Sequence, residues 1–383
     1  MEGAMKKLIW LILIVGISVH ADIPKPVPVF LIKPYLYTIK GQKWALAWSY
    51  TTGGPTRSDV TFVQNNQVLT LHGTLDNGLF TALLPLPSCD FGNVTYKVGG
   101  QMDLIKLTDV PCPETKVTTR FTFMADTQEG PKYDKIFAKQ IKEFDGSAVL
   151  IGGDLVQTGD KFDDWVRFFD ALDPVISTHA LIPVVGNHEY RNTPAVPYWK
   201  HFFQTEANDD FYSLDIGPVH VMAINSCFAD DPSMRLKQLG WLKSELEKPS
   251  KWRVVFYHHP AFSRSIANNP VAPKREYLAL QEDYVPLFEQ YHVDLVLNGH
   301  THLYEHSFKD GVHYLTMGPA GGIMGTYGAK NKYALESHLK RTIAEIEASQ
   351  EELRIVTTTI EGKTLSEFTL NKEYTIDSEV SQE

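Results

Sequence analysis

The chain has 383 residues and a formal net charge of −10 at pH 7, with 43% hydrophobic and 21% charged residues. This composition is typical of a soluble globular protein, and the length allows a large core that folds without metal or disulfide staples. The acidic balance argues against nucleic acid as a general partner, because phosphate backbones need a basic face, but it permits a small anion whose charge is met locally.

The N-terminus has the pattern of a secretory signal peptide over residues 1–21. Lys6 and Lys7 precede an apolar run from Leu8 to Val19, and Ala21 supplies a small residue at the expected cleavage point. The run is shorter than the ~20 residues of a membrane-spanning helix. We therefore expect a secreted or periplasmic protein with no stable membrane insertion after cleavage. An uncleaved membrane anchor is the alternative.

Residues 22–115 are predicted to form short β-strands. Lys43–Tyr50 and Asp59–Val63 are rich in aromatic and β-branched residues, and sequences rich in Asn and Gly separate the strand-like runs. Strands at this spacing without helical periodicity predict a small β-sandwich. Export permits a disulfide between Cys89 and Cys112, and two unpaired thiols are the alternative.

Residues 116–372 have the texture of an α/β domain, because apolar strand-like runs alternate with amphipathic stretches. Residues 373–383 are predicted to be a frayed tail. The strand candidates are 121–125, 148–151, 181–185, 219–224, 253–257 and 293–297, followed by a hairpin over 352–370. The helix candidates are 133–144, 162–172, 234–247 and 284–291.

Polar side chains follow five of these six strands. Ligands bind at the carboxyl ends of strands in open α/β sheets, so we expect these side chains to lie close together. Two aspartates, one asparagine and three histidines suit Zn, Mn, Fe or Co better than Ca or Mg. The residues are Asp126, Asp154, Asn187, His258, His300 and His302.

Each of these residues alone has a simpler explanation, such as a helix N-cap, a turn or a buried histidine. Five strands that end in ligand residues favour a shared metal site instead. A carboxylate that bridges two ions would hold them ~3.5–4 Å apart, the spacing of two-metal hydrolases, and water bound there loses a proton near neutral pH. The pattern therefore predicts hydrolytic chemistry.

The ordered motifs resemble those of the calcineurin-like metallophosphoesterase family, and Gly299–Glu305 with the preceding β-rich segment is most similar to its purple acid phosphatase branch. The resemblance covers about residues 118–370. It implies a mixed α/β (α+β) protein, in which a fibronectin-III-like β-sandwich precedes a four-layer α/β/β/α catalytic domain. The motifs are Asp126, Gly153-Asp154, Gly186-Asn187-His188-Glu189, His258-x-Pro260 and Gly299-His300-x-His302.

The resemblance also implies a role for each motif residue. His188 would bind the phosphate or protonate the leaving oxygen as a general acid, and His259 would assist it. One metal ion would be held by Asp126, Asp154 and His302. The other would be held by Asp154, Asn187, His258 and His300, so that Asp154 bridges the pair.

Two positions depart from the family pattern. Gln128 stands where the first motif, Asp-x-His, has a metal-binding histidine, and Gln157 stands where purple acid phosphatases have an iron-binding tyrosine. An amide oxygen from Gln128 or Gln157 would be a weak substitute. We therefore expect a colourless enzyme with two divalent transition-metal ions (Fe, Mn or Zn) and a looser first site.

The predicted function is hydrolysis of small phosphate mono- or diesters by in-line attack of a metal-bound hydroxide. Two alternatives stay open. The same centre would also suit nucleotides, pyrophosphate or phospholipid headgroups. A non-catalytic exported binding protein with a degenerate metal site is favoured by Gln128 and Gln157, and opposed by the intact ligands and His188. No oligomeric state is predicted.

Overall fold

The structure is a computed structural model. It describes residues 30–39, 43–52, 54–64, 67–84, 94–98, 101–105, 118–193, 196–203, 210–266 and 275–372. The predicted signal peptide, Cys89, Cys112 and the predicted tail lie outside these residues, so the statements about them stay predictions. Within the described ranges, no helix has the length and apolar character needed to cross a membrane.

The described residues form 21 strands and six α-helices, together with one 3₁₀ helix, Ser226–Asp230. The first strands are β1 Phe30–Ile39, β2 Lys43–Tyr50, β3 Asp59–Gln64, β4 Gln67–His72, β5 Thr74–Asp76, β6 Leu79–Leu83, β7 Val94–Val98, β8 Gln101–Ile105, β9 Thr119–Met124, β10 Ala148–Ile151 and β11 Ala180–Pro183. The later strands are β12 Tyr212–Ile216, β13 Val219–Ala223, β14 Trp252–Phe256, β15 Leu295–Asn298, β16 Tyr304–Lys309, β17 Val312–Thr316, β18 Ala334–His338, β19 Thr342–Ala348, β20 Glu352–Thr359 and β21 Thr364–Asn371. The helices are α1 Pro131–Phe144, α2 Phe162–Ile176, α3 Pro197–Phe203, α4 Pro232–Leu246, α5 Arg275–Ala279 and α6 Val285–Gln290, with a π-helical turn, Leu280–Tyr284, between the last two.

The strands form three sheets. The largest has the order β21-β20-β19-β9-β10-β11-β1-β2-β6-β5, the second β12-β13-β14-β15-β17-β16-β18, and the third β4-β3-β7-β8. Neighbouring strands β9, β10 and β11 run parallel, as do β13, β14, β15 and β17. The carboxyl ends of these parallel strands therefore lie at one edge of each sheet.

The two large sheets pack face to face, and helices cover their outer sides. Phe123 of β9 meets Phe256 of β14 edge to face at 6.3 Å, within one core that both sheets share. Helices α1 and α2 bury Phe137, Ile141 and Trp165 on the outer face of the ten-stranded sheet, and α4 and α6 pack on the seven-stranded sheet. This four-layer α/β/β/α arrangement confirms the predicted fold class.

The β-rich segment at the N-terminus is continuous with the ten-stranded sheet. Strand β1 pairs in parallel with β11, with Leu36 opposite Ala180. The four-stranded sheet packs against β2 on the same face of the ten-stranded sheet that meets the seven-stranded sheet. Trp48, Val60 and Tyr96 lie in that shared core, which is consistent with a β-sandwich. The division into domains at residues 115 and 116 stays a prediction, while the sheet itself includes strands from both segments.

The predicted elements of the catalytic region match the structure closely. The six strand candidates correspond to β9, β10, β11, β13, β14 and β15, and the four helix candidates fall on α1, α2, α4 and α6. The predicted C-terminal hairpin is the antiparallel pair β20 and β21, and Gly362 at its turn has φ 72°. Strand β10 is buried at every position, as expected of a strand covered on both faces.

Candidate metal centre

Five residues at the strand ends have left-handed backbone conformations. Their φ angles are 56° for Asp126, 31° for Gln128, 54° for Asp154, 68° for His300 and 55° for His302. Residues with side chains rarely adopt this region, and each instance costs about 1–3 kcal/mol unless the surroundings enforce it. Such strain clusters at functional sites, and here it turns five side chains toward one place at the sheet edges.

The first ligand group is formed by Asp126, Asp154 and His302, whose candidate ligand atoms all lie within 4.8 Å of one another. His302 Nε2 lies 3.3 Å from Asp126 Oδ1. The Nδ1–H of His302 donates to the carbonyl oxygen of Ile323, so Nε2 carries the free lone pair. The backbone N–H of His300 donates to both Asp126 oxygens, at 3.0 and 2.9 Å, and fixes that carboxylate.

The second ligand group centres on the buried side chain of His258. Its Nδ1–H donates to the carbonyl oxygen of Gly152 at 2.8 Å, which leaves Nε2 as the acceptor nitrogen. This Nε2 lies 3.1 Å from Asn187 Oδ1, 3.1 Å from His300 Nδ1 and 3.1 Å from Asp154 Oδ2. Lone pairs that converge in this way repel one another unless a cation or a proton lies among them. The donor set therefore fits a divalent transition metal.

The pKa values of His258 and Asp154 also indicate that positive charge is favoured among these ligand atoms. Burial disfavours the charged form of His258, but the nearby Asp154 carboxylate outweighs it and raises the pKa of His258 to about 9. Burial likewise disfavours the charge on Asp154, yet His258, His188 and His300 hold its pKa well below the usual value. The pocket thus favours a carboxylate with positive charge beside it.

His259 belongs to the second ligand group, because its candidate ligand atom lies within 4.8 Å of those of His258 and His300. Its backbone N–H donates to Ser226 Oγ at 3.0 Å, and its Nδ1 lies 2.9 Å from the same oxygen. Its ring centroid is 4.3 Å from that of His300. The resemblance gave His259 an assisting role. It offered no signal for Ser226, which follows the one predicted strand without ligand residues.

His188 lies beside the first group, with its Nε2 3.8 Å from Asp154 Oδ2. Its Nδ1–H donates to the carbonyl oxygen of Gln157 at 2.8 Å, so its Nε2 accepts the hydrogen bond from Arg191 Nη2 at 3.0 Å. In this arrangement the imidazole is neutral and has no proton on Nε2. The predicted general-acid role therefore requires a change at Arg191, a residue that the sequence motifs did not single out.

The two glutamine positions differ in what they bring to the centre. Gln128 reaches it, but its amide nitrogen faces Asp154 Oδ2 at 2.7 Å, and a half-turn of the amide is needed to present oxygen. Gln157 meets the site through its backbone carbonyl, which holds His188. Its side-chain Oε1 is buried and has no hydrogen-bond partner among the described residues. Metal binding by either side chain stays a proposal.

Glu189 joins the two loops that carry the shared ligands. Its carboxylate accepts backbone N–H bonds from Gly186 at 2.7 Å, Leu155 at 2.8 Å, Asp154 at 2.9 Å and Val156 at 3.2 Å. Burial raises the pKa of Glu189 to about 7, whereas these N–H groups favour its anion. Because all four donors are backbone groups, Glu189 fixes the path of the chain on both sides of the centre.

Three other side chains, those of His306, Trp165 and Cys227, have a structural explanation rather than a role in the centre. His306 is buried, with its Nε2 2.9 Å from His313 Nδ1 and its ring stacked on Phe368 at 4.3 Å. Trp165 is fully buried in the helix-covered core. Burial raises the pKa of the Cys227 thiol, which argues against the thiolate that a cysteine nucleophile needs.

Comparison with known proteins finds a family match over just under half of the chain. Residues 119–304 match the family model Calcineurin-like phosphoesterase. Purple acid phosphatase 15 of Arabidopsis thaliana is 29% identical over 192 residues, which cover 46% of this chain and 34% of that protein. An uncharacterised protein of Mycobacterium tuberculosis is 29% identical over 185 residues, or 41% of this chain and 34% of its own length. The matches thus span about a third of these relatives.

A solved structure shares the overall fold. The purple acid phosphatase from seeds of yellow lupin (Lupinus luteus) superposes with a TM-score of 0.76 and 15% identity, and covers 89% of this chain and 74% of the lupin chain. The fold and the match of residues 119–304 together make the metallophosphoesterases the class of proteins that this chain resembles. Residues 119–304 belong to the calcineurin-like phosphoesterase family, and purple acid phosphatases are among the relatives of the chain.

Proposed function

We propose that this protein hydrolyses small phosphate mono- or diesters at a centre of two divalent transition-metal ions. The observation that carries the proposal is the convergence of two ligand groups on one shared carboxylate, that of Asp154. One ion would be held by Asp126, Asp154 and His302. The other would be held by Asp154, Asn187, His258 and His300, with His259 close to it.

Bound ions of this kind supply Lewis acidity and lower the pKa of water, which provides a nucleophile near neutral pH. The residues of the chain orient the reaction. Glu189 fixes the loop of Asp154, and the carbonyl of Gln157 fixes the imidazole of His188 with Nε2 turned toward the centre. His188 is placed to contact the phosphoryl group or the leaving oxygen, with its proton on Nδ1 while Arg191 occupies Nε2.

The relatives support the substrate class, because they include purple acid phosphatases and a phosphoenolpyruvate phosphatase from Allium cepa. A small phosphate ester is therefore the proposed substrate. We also propose export to a secreted or periplasmic location, on the pattern of residues 1–21.

Metal analysis joined to a rate assay tests the proposal. The purified protein should hold about two transition-metal ions per chain and hydrolyse a mono- or diester. It should lack intense visible absorption, because Gln157 stands where purple acid phosphatases have the iron-binding tyrosine. Asp154→Asn and His300→Ala should lose both metal and turnover while the circular dichroism spectrum is kept. His72→Ala, an exposed histidine on β4, is the matched control and should behave as wild type. Full activity in Asp154→Asn would refute the assignment.

One observation favours a second candidate, a non-catalytic binding protein. The amide nitrogen of Gln128 donates a hydrogen bond to Oδ2 of the shared Asp154 carboxylate. An amide N–H₂ group cannot bind a metal ion, and here it takes the place of a ligand at that oxygen. A degenerate centre of this kind would retain one ion or none. Metal content therefore separates the two candidates, and Gln128→His, which supplies the residue of the family pattern, should raise metal content only if the first site is weak.

A further inference from the structure

Arg191 carries a positive charge next to the candidate centre, and the hydrogen bonds of its guanidinium go to uncharged acceptors. Its Nη2 donates to His188 Nε2 at 3.0 Å, and its Nη1 donates to the carbonyl oxygen of Gln157 at 3.3 Å. Among the residues that the structure describes, no carboxylate forms an ion pair with this guanidinium. The side chain is exposed, so it is free to turn toward a ligand. An exposed guanidinium with no carboxylate partner among the described residues is available to bind an anion held at the centre.

The distances around His188 indicate where such an anion would bind. His188 Nε2 is 3.8 Å from Asp154 Oδ2, and Arg191 lies one hydrogen bond further out, on the solvent side of the imidazole. A phosphoryl group held at the centre would present its outward oxygens to this side. A guanidinium has five donors in a fixed fork that matches two such oxygens, and a charged pair of this kind is short and strong.

We propose that Arg191 is a substrate-binding residue that grips the non-bridging phosphoryl oxygens and gives the enzyme a preference for monoesters over diesters. The inference rests on the proposed function. A phosphate monoester carries close to two negative charges at pH 7 and has three non-bridging oxygens. A diester carries one charge and has two such oxygens, and its second organic group occupies the place where Arg191 would bind. The guanidinium therefore discriminates by charge and by shape.

The test uses the full-length protein loaded with metal and three substitutions. Arg191→Gln removes the charge, Arg191→Lys keeps the charge without the fork, and Arg57→Gln is the matched control, an arginine next to the four-stranded sheet. The probes are p-nitrophenyl phosphate as monoester, bis(p-nitrophenyl) phosphate as diester, and inorganic phosphate measured by titration calorimetry. Thermal melting of each variant shows that the fold is retained.

Loss of a charge-assisted bond predicts that Arg191→Gln raises the monoester KM and the inorganic phosphate Kd about tenfold or more. The diester KM should change by less than about threefold, and Arg191→Lys should be intermediate. Arg57→Gln should match wild type throughout.

Three results would overturn the inference. The first is an equal fall in kcat for both esters with an unchanged phosphate Kd and a displaced pH profile, since this would mean that Arg191 acts only by positioning His188. The second is no change in any constant. The third is an equal rise of KM for the two esters. If wild type itself hydrolyses neither ester, the proposed function fails, while the comparison of phosphate Kd values still decides the role of Arg191.

Discussion

Glu189 supports the centre without belonging to either ligand group. It lies next to His188 in the sequence, and its buried carboxylate accepts backbone N–H groups from the loops after β10 and β11. These donors would be left without partners if the carboxylate were removed, and a buried donor without a partner costs about 1–3 kcal/mol. The residue therefore links fold stability to the position of Asp154.

Replacement of this carboxylate tests that link. Glu189→Gln should lower the free energy of unfolding by about 2–4 kcal/mol, because the neutral amide accepts fewer of these bonds and turns an N–H₂ toward other donors. It should also reduce metal retention, since the Asp154 loop loses its support. Denaturant unfolding and metal content are the measurements, with the exposed Glu352→Gln as control. Wild-type stability in Glu189→Gln would show that the four contacts carry little energy.

His306 makes the stability of the protein depend on pH. Burial, followed by the neighbouring His313, lowers the pKa of His306 to about 4. In the unfolded chain, His306 is protonated as the pH falls below the ordinary histidine pKa of about 6.5. In the folded protein, it is protonated only when the pH approaches 4. The stability contribution is therefore complete above about pH 6.5 and is lost as the pH falls toward 4.

We expect wild type to lose up to about 3 kcal/mol of unfolding free energy through this residue between pH 6.5 and 4. His306→Gln should flatten that part of the stability curve, whatever it does to stability at pH 7. Urea unfolding at several pH values measures the slope, and His72→Gln serves as control. An unchanged slope in His306→Gln would assign the acid sensitivity to other groups.

At the residue scale, the sequence indicated the residues that converge on the candidate centre better than the residues that support them. Asp126 and His302 are recognisable because ligand residue types stand at strand ends, and strand ends are visible in the pattern of apolar runs. Arg191 and Ser226 have no such signal. Both depend on which loops meet in space, and that meeting is set by sheet order rather than by local sequence.

At the element scale, glycines let the strand-end loops come together. A Cβ on Gly186 would lie 2.4 Å from the backbone nitrogen and 2.3 Å from Oδ1 of Asp154, and one on Gly153 would lie 2.7 Å from His258 Nδ1. Gly153 also has φ 85°. The loops after β10 and β11 are therefore packed backbone to backbone at the point where the shared ligand leaves the sheet.

A methyl group at Gly186 should separate these loops. Gly186→Ala is expected to destabilise the protein by several kcal/mol and to lower metal affinity, because the clash involves backbone that cannot rotate away. Gly240→Ala is the matched control. It lies in α4 with nothing within 4 Å of its added Cβ, and it should stabilise by about 0.5–1 kcal/mol through helix propensity. Calorimetric melting and metal titration measure both effects.

Strands were predictable from the sequence where both faces are buried, because nearly all of their residues are then apolar. Strands β10, β13 and β15 are buried along their whole length, and apolar residues fill every position except His220 in β13 and Asn298 at the end of β15. Strand β18 was not predicted, since its residues are partly exposed at a sheet edge and include Glu336 and His338. The π-helical turn was missed as well, because its five residues, Leu280–Tyr284, have the composition of an ordinary helix.

At the scale of the whole molecule, the N-terminal segment shares a core with the α/β region that carries the candidate centre. Tyr35 of β1 packs on Phe169 of α2 with ring centroids 4.5 Å apart, and its hydroxyl donates to the carbonyl of Phe202 at 2.6 Å. The predicted small β-sandwich agrees with the four-stranded sheet. The extension of the ten-stranded sheet through β1 was beyond prediction, because the pairing of β1 with β11 has no local sequence signal.

Deletion of residues 22–115 should therefore disrupt the catalytic region. Removal of β1 would leave β11 as an unpaired edge and uncover the aromatic side chains that Tyr35 and Tyr37 bury, including Phe169 and Phe203. We expect a fragment that aggregates or melts without cooperativity, whereas the intact chain should melt as one unit. Near-ultraviolet circular dichroism and calorimetry measure this. A soluble fragment with a sharp transition would show that the catalytic region folds alone.

The pairing of Leu36 with Ala180 also sets an order in time. During synthesis β1 emerges long before β11. The edge of β1 that pairs with β11 therefore stays unpaired in the hairpin of β1 and β2 until β9, β10 and β11 have been made. Contacts between residues so distant along the chain slow folding and lengthen the life of aggregation-prone intermediates. Overexpression is therefore expected to yield more native protein when translation is slowed or a chaperone shields the early hairpin.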